Sequence, residues 1–182
     1  RQTALIFFPV ILFLIWKKFG IRTLIFCLSL GLVIFYISFL PFSQNISLDP
    51  FELYIKSLGS GSDGVSENAF NFWGALFSLK FMSDKTYFSP ITYQLGGYLI
   101  LGLLVSLPSF LFLKRWFSKR FLIIFLTYLS LTYFFFLTRL HERHLAPAIL
   151  FLTLIVVLDK RYWLSLIFMS FLYQLNLYRG ML

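Results

Sequence analysis

An all-α polytopic bundle of about six transmembrane helices, with an external segment carrying interfacial helices, is the fold this sequence predicts. Three observations predict it. Of the 182 residues, 59% are hydrophobic and only 13% are charged, and phenylalanine alone occurs 25 times. A soluble domain of that length has too little interior to hide so many apolar side chains. The apolar runs are long and do not alternate with polar residues, which favours helices over barrel strands. The basic residues gather in a few short connectors between those runs, the pattern expected of cytoplasmic loops in a multi-pass membrane protein.

In chain order, spans are expected at 3–16, 23–42, 91–113, 121–138, 145–158 and 162–178. Lys17, Lys18 and Arg22 follow the first span. Lys114, Arg115, Lys119 and Arg120 follow the third, and Lys160 and Arg161, with Asp159, follow the fifth. These three turns hold nine of the 16 basic residues and one of the seven acidic ones, so the positive-inside rule assigns them to the cytoplasm. The formal charge of +9 is then largely a topology signal. No nucleic-acid partner is expected, because that would require basic residues collected on one soluble face. The single cysteine, Cys27, excludes an intrachain disulfide. The chain opens on Arg1, with no initiator Met and no signal peptide, and is expected to be the C-terminal part of a longer protein.

This topology leaves 43–90 and the turn after the fourth span outside. In the first half of that segment, Phe51, Tyr54, Ile55 and Leu58 share one helical face. A second helix is expected over 66–81, with Phe70, Trp73 and Phe77 on one side and Glu67, Asn71, Gly74 and Ser78 on the other. Both are expected to lie in the membrane interface. The glycine- and serine-rich stretch 59–64 reads as a flexible break that could gate a site.

Thr138-Arg139-Leu140-His141-Glu142-Arg143 stands between two strongly apolar runs. Ionisable groups so close to hydrocarbon are usually paired or put to use. The fifth span, Leu145–Leu158, covers only about 21 Å as a helix against a core of about 30 Å. Its helix is therefore expected to begin near His141, with Pro147 in its first turn. His141, Arg143 and His144 then crowd the positive end of a helix, a suitable setting for an anion. Glu142 is expected to pair with Arg139 or with another basic group. His141 and His144 are three residues apart rather than the four of a zinc-protease helix, and no glycine-rich phosphate loop is present. No zinc site is expected from that spacing, and no residue is assigned to a metal.

Three blocks together resemble the GT-C membrane glycosyltransferases. The nearest likeness is to the dolichyl-phosphate-glucose-dependent glucosyltransferases of asparagine-linked glycosylation and their bacterial relatives. That family begins a helix with Lys-Gln-x-Ala-Leu and a Pro four residues on; here Arg1-Gln2-Thr3-Ala4-Leu5 precedes Pro9. It carries an acidic residue and then Val-Ala-Asn-Phe-Trp in a luminal segment; here Glu67 stands four residues before Asn71-Phe72-Trp73. It carries His-Glu-Lys at a luminal helix end; here the triplet is His141-Glu142-Arg143, as in bacterial members, but followed by His144 rather than an aromatic residue. The likeness covers the C-terminal half of the family's fold. The family's catalytic carboxylate lies in its N-terminal half, so no catalytic base is expected among these residues.

The resemblance implies transfer of a sugar from a polyprenyl-phosphate donor to a glycan, lipid or protein acceptor on the non-cytoplasmic face. Arg143, His141 and Arg1 would bind the donor phosphate, supported by Glu142, Arg139 and His144. Glu67, Asn71 and Trp73 would line the acceptor or sugar side. No cofactor is expected, and a divalent metal stays open. The location implied is an integral, multi-pass one, in a bacterial plasma membrane rather than the endoplasmic reticulum. The competing readings are a non-catalytic membrane assembly subunit and a lipid-linked sugar transporter or flippase.

Overall fold

The computed structural model describes residues 2–42, 49–59, 64–66, 69–77, 80, 82–88 and 90–181. Arg1, Glu67 and most of the 59–64 break lie outside the described residues. Seven α-helices are found among the described residues. Three segments, Leu5–Phe42, Tyr93–Arg115 and Lys119–Phe136, are long and apolar enough to cross a membrane, as a membrane protein requires. The chain divides into two units, Arg1–Gly61 and Ser62–Leu182.

The first unit holds α1 (Gln2–Phe39) and α2 (Asp49–Gly59). A polar turn was expected between 17 and 22. Instead the helix runs through Lys17 and Lys18, and its only non-helical residue is Gly20, at φ 86° and ψ 173°. Glycine alone reaches that region without a Cβ clash, so one residue interrupts the helix where a loop was expected. Exposed Phe8, Ile11, Phe26 and Ile34 show a helix apolar on all sides, which suits hydrocarbon rather than water. On α2, Phe51 and Tyr54 pack onto Phe35 of α1, both at ring-centroid distances of 5.3 Å. Ile55 stays exposed. The expected apolar face is thus divided between α1 and the surroundings.

The second unit is built around α5 (Lys119–Phe136), with α4 (Tyr93–Arg115) and α6 (Ala146–Leu158) packed on it and α7 (Trp163–Met181) packed on α6. Phe112 and Phe125 stack at 4.6 Å between α4 and α5. Buried Thr127, Ser130 and Thr132 of α5 donate to the carbonyls of Ile123, Leu126 and Tyr128, four residues back. This local bonding lets hydroxyls sit inside an apolar bundle without an orphaned donor. Ser118 and Thr92 cap α5 and α4 through their side-chain oxygens. At the α6–α7 turn, Asp159 pairs with Arg120 at 2.6 Å and Arg161 at 3.0 Å. Hydrogen bonds from Arg161 are the chief reason its carboxyl titrates below the ordinary carboxylate range.

The helix expected over 66–81 is much shorter: α3 spans only Phe72–Leu76. The 3.6-residue pattern is real, since Trp73 and Phe77 stack at 6.5 Å, but tertiary hydrogen bonds override it upstream. Asn71 caps α3 by accepting from the Gly74 N–H, while the Phe70 N–H donates to buried Asn176 of α7 at 2.6 Å. Beyond α3, strands β1 (Tyr87–Phe88) and β2 (Ile91–Thr92) form a small antiparallel ribbon leading into α4.

Candidate functional site

The turn between α5 and α6 is fixed from three directions. First, Leu137, Leu140 and Leu145 are buried at its base, so the backbone between them cannot lift away without exposing apolar surface. Second, the last carbonyl of α5, that of Phe136, accepts the Trp73 indole N–H at 2.8 Å. α4 comes so near this carbonyl that a Cβ on Gly97 would lie 2.9 Å from its oxygen. Gly97 is therefore required for the close approach of α4 to the end of α5.

The third tether is electrostatic. Asp84 has no solvent exposure. Its carboxylate accepts from Arg139 Nε at 2.6 Å, from Arg139 Nη2 at 2.9 Å and from the Thr138 hydroxyl at 3.0 Å. The two-pronged guanidinium bond is the strongest geometry for such a pair. Arg139 is also the only non-glycine residue with positive φ among the described residues, at 61°. Such a conformation costs of order 1–3 kcal/mol and persists where its surroundings over-determine it. Here the Asp84 fork holds the side chain, and the Arg139 N–H faces the Val65 carbonyl at 3.4 Å. Of the two partners expected for Glu142, Arg139 or another basic group, Arg139 is taken by the fully buried Asp84. A partner 55 positions away leaves no local signal, and Asp84 belongs to no periodic pattern.

Residues 142–145 wind as a three-ten turn ahead of α6. The helix thus starts at Ala146 and not near His141, but the turn adds about 8 Å to the roughly 20 Å of α6. Pro147 sits at the start of α6, where its missing N–H costs nothing. The His141 N–H donates to His144 Nδ1 at 2.9 Å. The same Nδ1 lies 3.1 Å from the His141 carbonyl oxygen, so it accepts from the His141 N–H in one tautomer and donates to that carbonyl in the other. Burial is the main cause holding the His144 pKa below 6.5, and the nearby charges of His141 and Arg143 act in the same direction.

The pH dependence follows from that direction. Below about pH 6.5 the unfolded chain binds a proton at His144 that the folded chain resists. The stability this residue contributes is complete above that pH and falls as pH drops toward the lower folded value. Thermal unfolding in detergent should show wild type losing more stability than His144→Gln between pH 7 and pH 5. Parallel losses would remove His144 as the cause.

Arg143 differs from its neighbours. Its side chain is exposed, and no ion pair involves Arg143 or Glu142 among the described residues. The structure therefore gathers Arg139, His141, Glu142, Arg143 and His144 in one turn, with Arg139 structurally committed and Arg143 presented outward. Trp73 reaches the same turn through Phe136 but is buried. Asn71 is also buried, with its Oδ1 committed to the α3 cap. Arg1 and Glu67 lie outside the described residues. Sequence reasoning missed Asp84, and it missed the parts played by Thr138 and Gly97, which rest wholly on long-range contacts.

The arrangement defines a class no narrower than a helical protein with membrane-length apolar helices and a rigid, cationic interhelical turn. Comparison with protein-family models, with curated proteins and with solved structures returns no match.

Proposed function

We propose that this chain is the C-terminal, donor-binding part of a GT-C-like glycosyltransferase, which transfers a sugar from a polyprenyl-phosphate donor on the non-cytoplasmic face. The observation that carries the reading is Arg143: an exposed guanidinium with no ion-pair partner among the described residues, on a turn held rigid by the Asp84–Arg139 fork, the Trp73–Phe136 bond and the His141–His144 bond. The leaving group in such a transfer is a lipid phosphate that gains negative charge, and a preorganised cation stabilises that charge where it develops. Arg143 is the principal phosphate contact, with His141 beside it and Glu142 and His144 in support. The base that activates the acceptor hydroxyl is assigned to no residue of this chain. The sugar-side role considered for Asn71 and Trp73 becomes a supporting one, since both are buried in contacts that shape the turn.

The reading includes a six-span topology: α1 counts as two spans across Gly20, followed by α4, α5, α6 and α7. The basic turns then face the cytoplasm. Cysteine labelling tests this directly. With Cys27, which is exposed, replaced by serine, cysteines at Lys18 and Lys119 should react only with reagents that enter the cell. A cysteine at Lys85 should label from outside. Labelling of Lys85 and Lys119 from the same face would overturn the topology and the assignment of Arg143 to the non-cytoplasmic side.

The activity is tested by following transfer from a polyprenyl-phosphate sugar in membranes bearing the intact protein. The assembly-subunit reading draws on one observation, that Arg139, Asn71 and Trp73 all serve packing. It would be preferred if no transfer were seen while the protein co-purified with a separate transferase.

A further inference from the structure

Where α5, α6 and α7 meet, away from the Arg143 turn and toward the opposite ends of the helices, lies a groove of about 400 Å³. Its walls carry Ile124 and Leu131 of α5, Leu152 and Ile155 of α6, and Phe168 and Met169 of α7. The groove belongs entirely to the second unit and plays no part in the proposed transfer. Phe168 of α7 and Tyr162, in the three-ten turn ahead of α7, are exposed, so the groove opens onto the medium around the helices. Of the four lining hydroxyls, those of Thr127 and Tyr128 donate to main-chain carbonyls of Ile123 and Leu104, and those of Tyr162 and Ser165 belong to exposed residues at its edge. A polar head would therefore find little to bond inside the groove, whereas a hydrocarbon chain loses nothing by entering it.

The rim has the opposite character. Lys119 begins α5 and Lys160 begins the three-ten turn ahead of α7. From Lys119 to Ile124 is about 7.5 Å of helix, and Lys160 is two residues from Tyr162 of the lining. Asp159 is shared between Arg120 and Arg161. No acidic partner of Lys119 or Lys160 exists among the described residues. Exposed Tyr162 and Trp163 follow Lys160 closely in the chain, as amphipathic rings do at the level of lipid headgroups. Two uncompensated lysines over an apolar slot complement a ligand with an anionic head and an acyl tail.

We infer that this groove is a specific site for one anionic phospholipid, its acyl chain lying against α5, α6 and α7 and its phosphate head held by Lys119 and Lys160. Each lysine near an anionic headgroup favours it by about fivefold, so the pair should give roughly thirtyfold preference over a zwitterionic lipid.

The test is lipid retention by the purified protein, read by native mass spectrometry after exchange with phosphatidylglycerol or phosphatidylcholine of matched chains. Wild type should retain phosphatidylglycerol about thirtyfold better. Lys119→Gln/Lys160→Gln, which alters only exposed rim residues, should hold both lipids equally. Ser165→Trp, placed to fill the groove from an exposed lining position, should release both; its fold is checked by thermal melting and size-exclusion profile. If it misfolds, the lysine variant decides alone. Equal retention of both lipids by wild type, or undiminished preference in the lysine variant, would overturn the site. Undiminished retention by folded Ser165→Trp would do so as well. Displacement of phosphatidylglycerol by a polyprenyl phosphate at equal concentration would likewise overturn it, assigning the groove to a donor tail. No arm reads transferase activity, so this inference and the proposed function fail separately.

Discussion

Arg139→Ala is expected to destabilise the protein by about 3–5 kcal/mol, because it strands the Asp84 carboxylate, fully buried, without its countercharge. The loss exceeds what an exposed ion pair would give, generally about 0–1 kcal/mol. It has two parts, neither of which offsets the other. Removing the guanidinium eliminates the 2.6 and 2.9 Å bonds, while the shorter side chain leaves a strained left-handed backbone at residue 139. Arg139→Gly relieves that strain and should be less damaging than Arg139→Ala by of order 1 kcal/mol. Asp84→Asn keeps the shape and one acceptor oxygen and should fall between wild type and Arg139→Ala. A double variant, Asp84→Leu/Arg139→Met, removes both charges and should cost much less than the sum of the single changes. Unfolding of the detergent-solubilised variants measures each step. Additive losses in the double variant would mean that the two side chains are not energetically coupled, and the account of the rigid turn would fail.

Arg143→Ala should lower transfer from a polyprenyl-phosphate sugar by about 10²–10³-fold, the usual effect of losing one preorganised stabiliser of developing negative charge. Its effect on unfolding should stay within about 0.5 kcal/mol, because the side chain is exposed and has no ion-pair partner among the described residues. That contrast distinguishes it from Arg139→Ala, whose loss of activity should follow its loss of folded protein. Arg143→Lys should restore part of the rate, since the charge returns without the forked geometry. Glu142→Gln should reduce the rate without changing the shape of the pH–rate profile, because its part is to orient a cation rather than to take up a proton. Near-normal turnover in Arg143→Ala would reduce the turn to a helix connector. An activity loss matched by an equal loss of folded protein would lead to the same conclusion.

Much of the helical architecture is legible without coordinates. The runs that become α4, α5, α6 and α7 are displaced by at most three residues from where hydropathy puts them, because apolar length is a local property. The face of α2 bearing Phe51 and Tyr54 is equally local, a 3.6-residue repeat that any docking surface must use. Local pattern fails wherever a distant group competes for the backbone. Ser66 to Phe70 could continue a helix by periodicity alone, yet the Asn176 side chain takes the Phe70 N–H and Asn71 turns to cap α3. The polar connector expected around Lys17 and Lys18 is replaced by Gly20 because one glycine dihedral achieves what a loop was expected to do.

The candidate site divides along the same line. The sequence by itself determined that this is a chain of long apolar helices with a His-Glu-Arg turn between two of them, since hydrophobicity and the clustering of ionisable residues are written in neighbouring positions. Only the tertiary structure decided which of those charges is committed. Asp84, remote in sequence and buried without exposure, takes Arg139 and so leaves Arg143 as the outward cation. The physical reason is desolvation: a carboxylate withdrawn from water must find the nearest guanidinium in space, and nearness in space is set by packing rather than by position along the chain.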